Sequence, residues 1–352
     1  MVLILRDIAA QPKEFRQLGV ALLAGVLLFT AFNWIGLLIF NSGLRRYYCL
    51  EPAKVLCIGH SMSEMGIDRN LLEERLKVPV AKYCMNGAGT HDRLVMIKHY
   101  LEEVNTLPEV VVYDVSGRSF SEGLAANSYA LFFPFMDESR AVDAYLRESA
   151  SPAEYWQKKL MPLSRYDDTR LGAVIRGWRS DWKNRSLKKF SAEQFQHNLD
   201  AGEFWKISFD ENNLRLFDET LAFLEAKGIR VVLAGLPCVD MLNRAEPEKY
   251  EQVMQIFRSA VRRYPNVCLL DLNPEFSNQY ELFGDPIHLS IAGQKAVTER
   301  LAEFLDGMIG SRRKSEAKDS PGYLANHDLR KKQVCRLTGQ SAFPPAFFYP
   351  QQ

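Results

Sequence analysis

A chain of 352 residues, 47% hydrophobic and 25% charged, has the make-up of an ordinary globular protein with room for one large domain or two. Its formal net charge of +1 supplies no global field to attract a polyanion, so nucleic acid is excluded as an expected partner. The cysteines, Cys49, Cys57, Cys84, Cys238, Cys268 and Cys335, contain no Cys-x-x-Cys pair, which excludes a zinc knuckle or a disulfide framework and leaves the compartment open.

Residues 1–17 form a short N-terminal segment with Arg6, Lys13 and Arg16. Leu18 to Phe40 follows, 23 residues without a charge. At about 1.5 Å per residue such a helix crosses a hydrocarbon core of about 30 Å. A cleavable signal would have a shorter apolar core and a small-x-small site. Here Asn41-Ser42-Gly43-Leu44-Arg45-Arg46 follows instead, and 18–40 is expected to be a transmembrane signal anchor. Arg45, Arg46 and Lys54 nearly balance the cations before the span, so charge does not set its orientation.

Beyond the anchor, strands and helices alternate. Lys54–Gly59 reads as the first strand, and Asp68 as the cap of a helix to Leu76, with Leu71, Leu72 and Leu76 on one face. Val80–Cys84 is a second strand, Asn86-Gly87-Ala88-Gly89 a turn, and Asp92–Leu101 a helix. Glu109–Val115 is a strand too continuously apolar to be half exposed. Phe209–Lys227 is expected to be helical, with Phe217, Leu221 and Leu224 inward and Gly228 as its stop. Ile229–Gly235, a helix from Pro247 to Tyr264, and the strand Val267–Leu270 complete the pattern. Ser290 is positioned to cap a closing helix whose Ala296, Val297, Leu301 and Phe304 share a face. Cys57, Cys84, Cys238 and Cys268 fall in or beside strands, as small buried hydrophobes do.

Alternation of this kind implies an α/β fold: a three-layer α/β/α, doubly wound parallel sheet, flavodoxin-like in plan. Ligands on such sheets sit beyond the carboxyl ends of the strands. Gly59, Asn86, Val115, Pro237 and the 285–288 turn all follow strand ends and are expected at one crevice.

Between the third and fourth strands lies a long excursion, 118–208, expected to be a helical insertion. It carries Phe132, Phe133, Phe135, Tyr155, Trp156, Trp178, Trp182 and Trp205, and a basic stretch with Arg176, Arg179, Lys183, Arg185, Lys188 and Lys189 around Asp181. One reading is a lid offering aromatic faces to a sugar chain, or cations to anionic polymer or lipid headgroups. The other is an insertion packing a small core of its own. Residues 311–352 read as a basic, mobile tail.

The chemistry centres on Gly59-His60-Ser61-Met62-Ser63 and Asp285-Pro286-Ile287-His288-Leu289-Ser290-Ile291-Ala292-Gly293. An Asp three residues before a His can fix its tautomer while the His takes a proton from a hydroxyl. Ser61, beyond the first strand, is the expected nucleophile, with Ser63 as the lesser candidate. His60, His91 and His99 make no His-Glu-x-x-His pattern, so no metal site is expected. Gly-x-Ser here lacks the final glycine of an α/β-hydrolase elbow.

In these motifs and their order the chain resembles the SGNH/GDSL esterase superfamily across about Lys54 to Gly310. The resemblance implies a catalytic set of Ser61, His288 and Asp285 and no cofactor. It implies an oxyanion hole from the backbone N–H of Ser61, Gly87, and a side-chain amide for which Asn86 stands in. Two departures are plain: His60 replaces the Asp of Gly-Asp-Ser, and Tyr113-Asp114-Val115-Ser116-Gly117-Arg118 replaces Gly-x-Asn after the third strand. They are similar to a membrane-anchored branch that includes alginate O-acetylation proteins and DltD-like proteins of teichoic acid D-alanylation.

The expectation is therefore a serine enzyme that moves or removes a small acyl group on a cell-envelope polysaccharide or similar polymer. The resemblance implies an acyl donor, a glycan or polymer acceptor, a multi-pass acyl-exporting membrane partner and an extracytoplasmic catalytic domain. Acyltransferase and ester hydrolase use the same residues and stay open. The alternative is a catalytically degenerate protein of this fold that binds polymer or scaffolds an envelope complex.

Overall fold

The structure, a computed structural model, describes residues 13–121 and 127–316. α1 (Lys13–Tyr47) is unbroken over 35 residues and extends beyond the expected span. β1 (Val55–Gly59) passes through α2 (Ser61–Gly66) and α3 (Arg69–Leu76) to β2 (Val80–Cys84), and α4 (Thr90–Val104) leads to β3 (Val110–Val115). The excursion then holds a 3-10 segment at Ser128–Phe135, α5 (Arg140–Ser149), α6 (Pro152–Leu160), a 3-10 turn at Pro162–Arg165, α7 (Asp168–Trp178) and α8 (Ala192–Asp200). α9 (Glu211–Ala226), β4 (Arg230–Gly235), α10 (Asp240–Arg244), α11 (Pro247–Arg263), β5 (Val267–Asp271), α12 (Asn273–Phe276) and α13 (Ile291–Glu316) complete it.

Local chemistry accounts for the boundaries. Asp68 caps α3 by accepting the N–H groups of Asn70 and Leu71. α9 ends where Gly228 takes a φ of +69° and Ile229 N–H donates back to the Leu224 carbonyl, 3.0 Å. Lys54 and Glu109, expected to open two strands, lie just outside them and pair with each other at 2.8 Å.

All five strands are parallel, in the order β2-β1-β3-β4-β5. Alternate residues feed opposite cores. Leu56, Ile58, Val111, Tyr113, Val231 and Leu233 face one, and Val55, Cys57, Val110, Val112, Val232 and Ala234 the other. α4, α9 and α11 cover the first face, with Phe217, Leu221 and Leu224 inward as expected, and α3 and α13 cover the second. Steps in the two directions along the sheet thus cross on opposite faces, as doubly wound topology requires. In α3 Leu72 and Leu76 are buried while Leu71 is half exposed; in α13 Val297 and Leu301 are buried while Ala296 and Phe304 sit at the margin.

Two expectations are corrected. The insertion makes no separate core, because Phe132, Phe133, Phe135, Tyr155, Val174 and Trp182 join the first-face core together with Leu44 and Tyr47 of α1 and Tyr48 just after it. The backbone also stays helical through Glu316, into the stretch expected to be tail. The rest of that tail, with Cys335, and most of the N-terminal segment lie outside the described residues.

The insertion grips the second half of α1. Leu163 packs on Gly36, and α7 crosses so closely that a Cβ on Gly177 would collide with the backbone of Gly43. Asn41 donates to the Pro134 carbonyl at 3.1 Å, and Trp182 Nε1 to the Tyr47 carbonyl at 2.7 Å.

Candidate active site

β1 ends at Gly59, His60 turns the chain, and Ser61 opens α2. The turn is tight: a Cβ on Gly59 would collide with Ser63 Oγ and lie 2.7 Å from the Asp114 carboxylate, so only glycine fits. His60 caps the short helix, its Nδ1 accepting the Met62 N–H at 3.1 Å. Asp114, at the end of β3, accepts the His60 N–H at 3.3 Å and the Ser63 hydroxyl at 2.9 Å. The two departures, His60 beside Ser61 and Asp114 at the end of β3, are therefore physically coupled. His60 serves as the cap, and Asp114 holds the turn from below. Burial pushes the His60 imidazole below its ordinary range, against the opposing pull of Asp114. Ser63 is buried and committed to Asp114, which removes it as the nucleophile.

After β5 the chain runs back over the carboxyl edge, Val239 N–H donating to the Pro286 carbonyl at 3.0 Å. A small loop pinched by the Phe283–Leu289 bridge carries Asp285 and His288. The Asp285 carboxylate accepts the backbone N–H groups of Ile287 (3.0 Å) and His288 (2.9 Å), which folds the loop onto itself. Its other oxygen lies 2.8 Å from His288 Nδ1, and His288 Nε2 lies 2.8 Å from Ser61 Oγ. Burial alone would raise the Asp285 carboxyl; the hydrogen bonds and charge of His288 and the backbone donors outweigh it, and the group lies below the usual carboxylate range. Ser61 and His288 are half-buried, reachable from solvent yet held. Ser290 N–H donates to the Leu282 carbonyl at 2.7 Å, and its hydroxyl accepts the Gly293 N–H at 3.3 Å, capping α13 as expected.

Asn86 and Gly87 occupy a turn closed by Ala88 N–H on the Met85 carbonyl at 3.1 Å, with Gly87 at a φ of +81°. Met85 N–H donates to the Gly59 carbonyl at 3.1 Å, so the turn stands beside the start of α2 at the same rim. Asn86 is exposed and Gly87 half-buried.

Among the described residues, His91 and His99 do not converge with His60. His91 packs on Tyr145, and His99 shares a 2.7 Å hydrogen bond with Tyr83. His99 does approach Glu103 and Glu138, but Arg45 pairs with both carboxylates, at 2.8 and 2.5 Å.

One residue of the site escaped sequence reasoning. Asn184, buried within the insertion's basic stretch, donates to the Leu289 carbonyl at 2.6 Å and the Met65 carbonyl at 3.3 Å. Its backbone N–H donates to Gln294 Oε1 at 2.8 Å, and its Oδ1 accepts from Ser186 N–H at 2.8 Å. It ties the loop of His288 to the helix that Ser61 opens. Nothing around it in the chain marks it, since both partners are far away in sequence. Residues 186–190 continue along the same loop, with Phe190 N–H donating to the Phe283 carbonyl at 3.2 Å and Leu187 and Lys188 left exposed.

No protein-family model matches the chain, and no curated protein matches it. Similar solved structures exist. A protein described as an acylhydrolase of Bacteroides fragilis is 10% identical, covers 72% of this chain and 86% of its own, with a TM-score of 0.36. A protein described as lipolytic and of the G-D-S-L family, from Desulfitobacterium hafniense, is 14% identical over 72% of this chain and 99% of its own, TM-score 0.34. A variant of Axe2, an acetyl-xylooligosaccharide esterase from Geobacillus, is 13% identical over 73% and 94%, TM-score 0.33. The fold rests on the strand order and the site on its own distances, not on these overlaps.

Proposed function

We propose that this chain is a membrane-anchored, SGNH-like serine enzyme of acyl ester chemistry, acting on a small acyl group of a cell-envelope polysaccharide or related polymer. The observation that carries the reading is the unbroken relay from Asp285 through His288 to Ser61, 2.8 Å at each link. In the proposed mechanism Ser61 Oγ attacks the acyl carbonyl and its proton passes to His288 Nε2. The charge on the carbonyl oxygen falls to the N–H groups of Ser61 and Gly87 and the Asn86 amide. Collapse expels the alkoxide, which takes the proton from His288 and leaves an acyl-serine. Water or a sugar hydroxyl then gives its proton to His288 and attacks the acyl carbon, and as the bond to Ser61 breaks His288 returns the proton to Ser61 Oγ. Water makes the enzyme a hydrolase and a sugar hydroxyl makes it an acyltransferase, one fed by a multi-pass membrane partner.

Support for an anchor comes from α1 itself. The helix Phe15–Tyr47 is long and apolar enough to cross a membrane, and its last turns, through Leu44 and Tyr47, belong to the core. Cleavage after Phe40 would strip Phe40 from the core it packs against and Asn33 from the Leu163 N–H it accepts. The rival reading, a degenerate scaffold, leaned on the missing Gly-x-Asn. Asp114 has a structural task of its own in that place, so the departure no longer favours inactivity.

A fluorophosphonate probe tests the reading. The full chain in detergent should form a covalent adduct, and Ser61→Ala and His288→Ala should not, while Ser63→Ala should still do so. Absence of any Ser61-dependent adduct on folded protein would return the scaffold reading. Product analysis with an acylated glycan then separates release of free acid from transfer to a second glycan.

A further inference from the structure

α1 meets the folded domain abruptly. From Phe15 to Phe32 nearly every residue is exposed around the whole helix, and at Asn33 burial begins on one side only. Asn33 Oδ1 accepts the Leu163 N–H at 3.3 Å, and Leu163 packs on Gly36. The opposite side of the same turns stays bare, with Trp34, Ile35, Leu38 and Ile39 all exposed. The first part of the domain to reach the helix is thus the corner between α6 and the Pro162–Arg165 turn.

That corner is built unlike a water-facing surface. Its charges are turned aside: Lys159 and Arg165 both pair with Asp137, at 2.5 and 2.6 Å. Beside the exposed Gln157, its large outward residues are the apolar Trp156 (55% exposed), Leu160 (72%) and Met161 (40%). Trp156 and Leu160, four apart on α6, share a face. Leu160 and Met161 stand within three residues of Leu163, hence level with Asn33 and Gly36. If 18–40 lies in hydrocarbon, that level is about 6–10 Å inside its edge, at about 1.5 Å per residue. Were the span to end as early as Phe32, the corner would sit at the headgroup boundary, where tryptophan and bulky apolar side chains are the usual anchors.

We infer that the corner carrying Trp156, Leu160 and Met161 is a second membrane contact, seated in the lipid bilayer beside α1 and holding the catalytic domain against the membrane surface. The occupant is the bilayer and not a protein partner, because the bare residues stand level with the exposed apolar residues Trp34, Ile35, Leu38 and Ile39 of the chain's own span. The inference rests on the reading of α1 as an anchor. A site held this way faces acyl donors and acceptors that are membrane-bound or close to it.

The full chain, reconstituted in phosphatidylcholine–phosphatidylglycerol vesicles whose acyl chains carry bromine, tests it through quenching of tryptophan fluorescence. Trp34→Phe reports the span and Trp156→Phe the corner, each compared with wild type after matching thermal unfolding profiles. Each substitution should remove part of the quenchable intensity. If only Trp34→Phe does so, the corner is not in lipid and the inference is overturned, a protein partner then being the better occupant. If neither does, the anchor reading falls first and takes the inference with it.

Discussion

The side-chain amide of Asn184 spans the helix of Ser61 and the loop of His288, donating at once to the Met65 and Leu289 carbonyls. Loss of that amide leaves Ser61 and His288 in place chemically while freeing their relative position. Misplacement of catalytic groups by about 1 Å can cost about 100-fold in rate. Asn184→Ala is therefore expected to slow fluorophosphonate labelling of Ser61 by about 10- to 100-fold. Second-order labelling rates measured beside the thermal midpoint check this; an unchanged rate on folded protein would sink the positioning role.

Asp285 both orients His288 and pins its loop through two backbone N–H groups. Asparagine is nearly isosteric but presents an amide, and offers no charge to an imidazolium. Replacing a triad carboxylate by its amide costs on the order of 10⁴ in rate. Asp285→Asn is expected to lose labelling on that scale and to keep its fold, as circular dichroism would report.

Gly59→Ala places a methyl against Ser63 Oγ and the Asp114 carboxylate. Both neighbours are buried and hydrogen-bonded to each other, so neither can yield cheaply. Overpacking of this kind costs about 1–3 kcal/mol. The urea midpoint should fall with an unchanged slope, and labelling should drop as the turn that presents Ser61 shifts.

His99 gives stability an acid-side dependence. Burial, with Arg45 nearby, holds its imidazole down to about 3. The unfolded chain takes that proton at about 6.5, so between those values the unfolded state binds more protons. Stability from the neutral ring is whole above about pH 6.5 and is lost as pH falls toward 3. His60 contributes in the same direction. His99→Gln, which keeps a partner for Tyr83, should flatten the fall of the thermal midpoint between pH 6.5 and 4.5. Identical slopes for the two proteins would rule this out.

Much of the architecture was legible because it is written locally. The strand-forming stretches Val80–Cys84 and Val110–Val115, the cap at Asp68 and the stop at Gly228 each depend on neighbours a few residues away. Ser61, Asp285 and His288 were recognisable for a related reason: each sits just past an element boundary that the pattern reveals. Where sequence reasoning failed, the cause was long range. The aromatics of the insertion look the same whether they line a lid or a core, and only packing with Tyr83, Tyr113 and the end of α1 assigns Phe132, Phe133, Phe135, Tyr155 and Trp182 to the core, while Trp156 and Trp178 stay exposed.

The sequence by itself determined the alternation of strands and helices, the apolar helix before them and the residue types able to relay a proton, because periodicity, capping and side-chain chemistry are properties of short stretches. Tertiary structure alone decided that His288 lies 2.8 Å from Ser61 across 227 positions, that Asp114 supports the turn, and that Asn184 joins the two halves of the site. Such contacts arise from the order in which strands pair and from the path the chain takes back across the sheet. Hydrogen-bond donors meet acceptors there whose sequence positions carry no mark of the meeting.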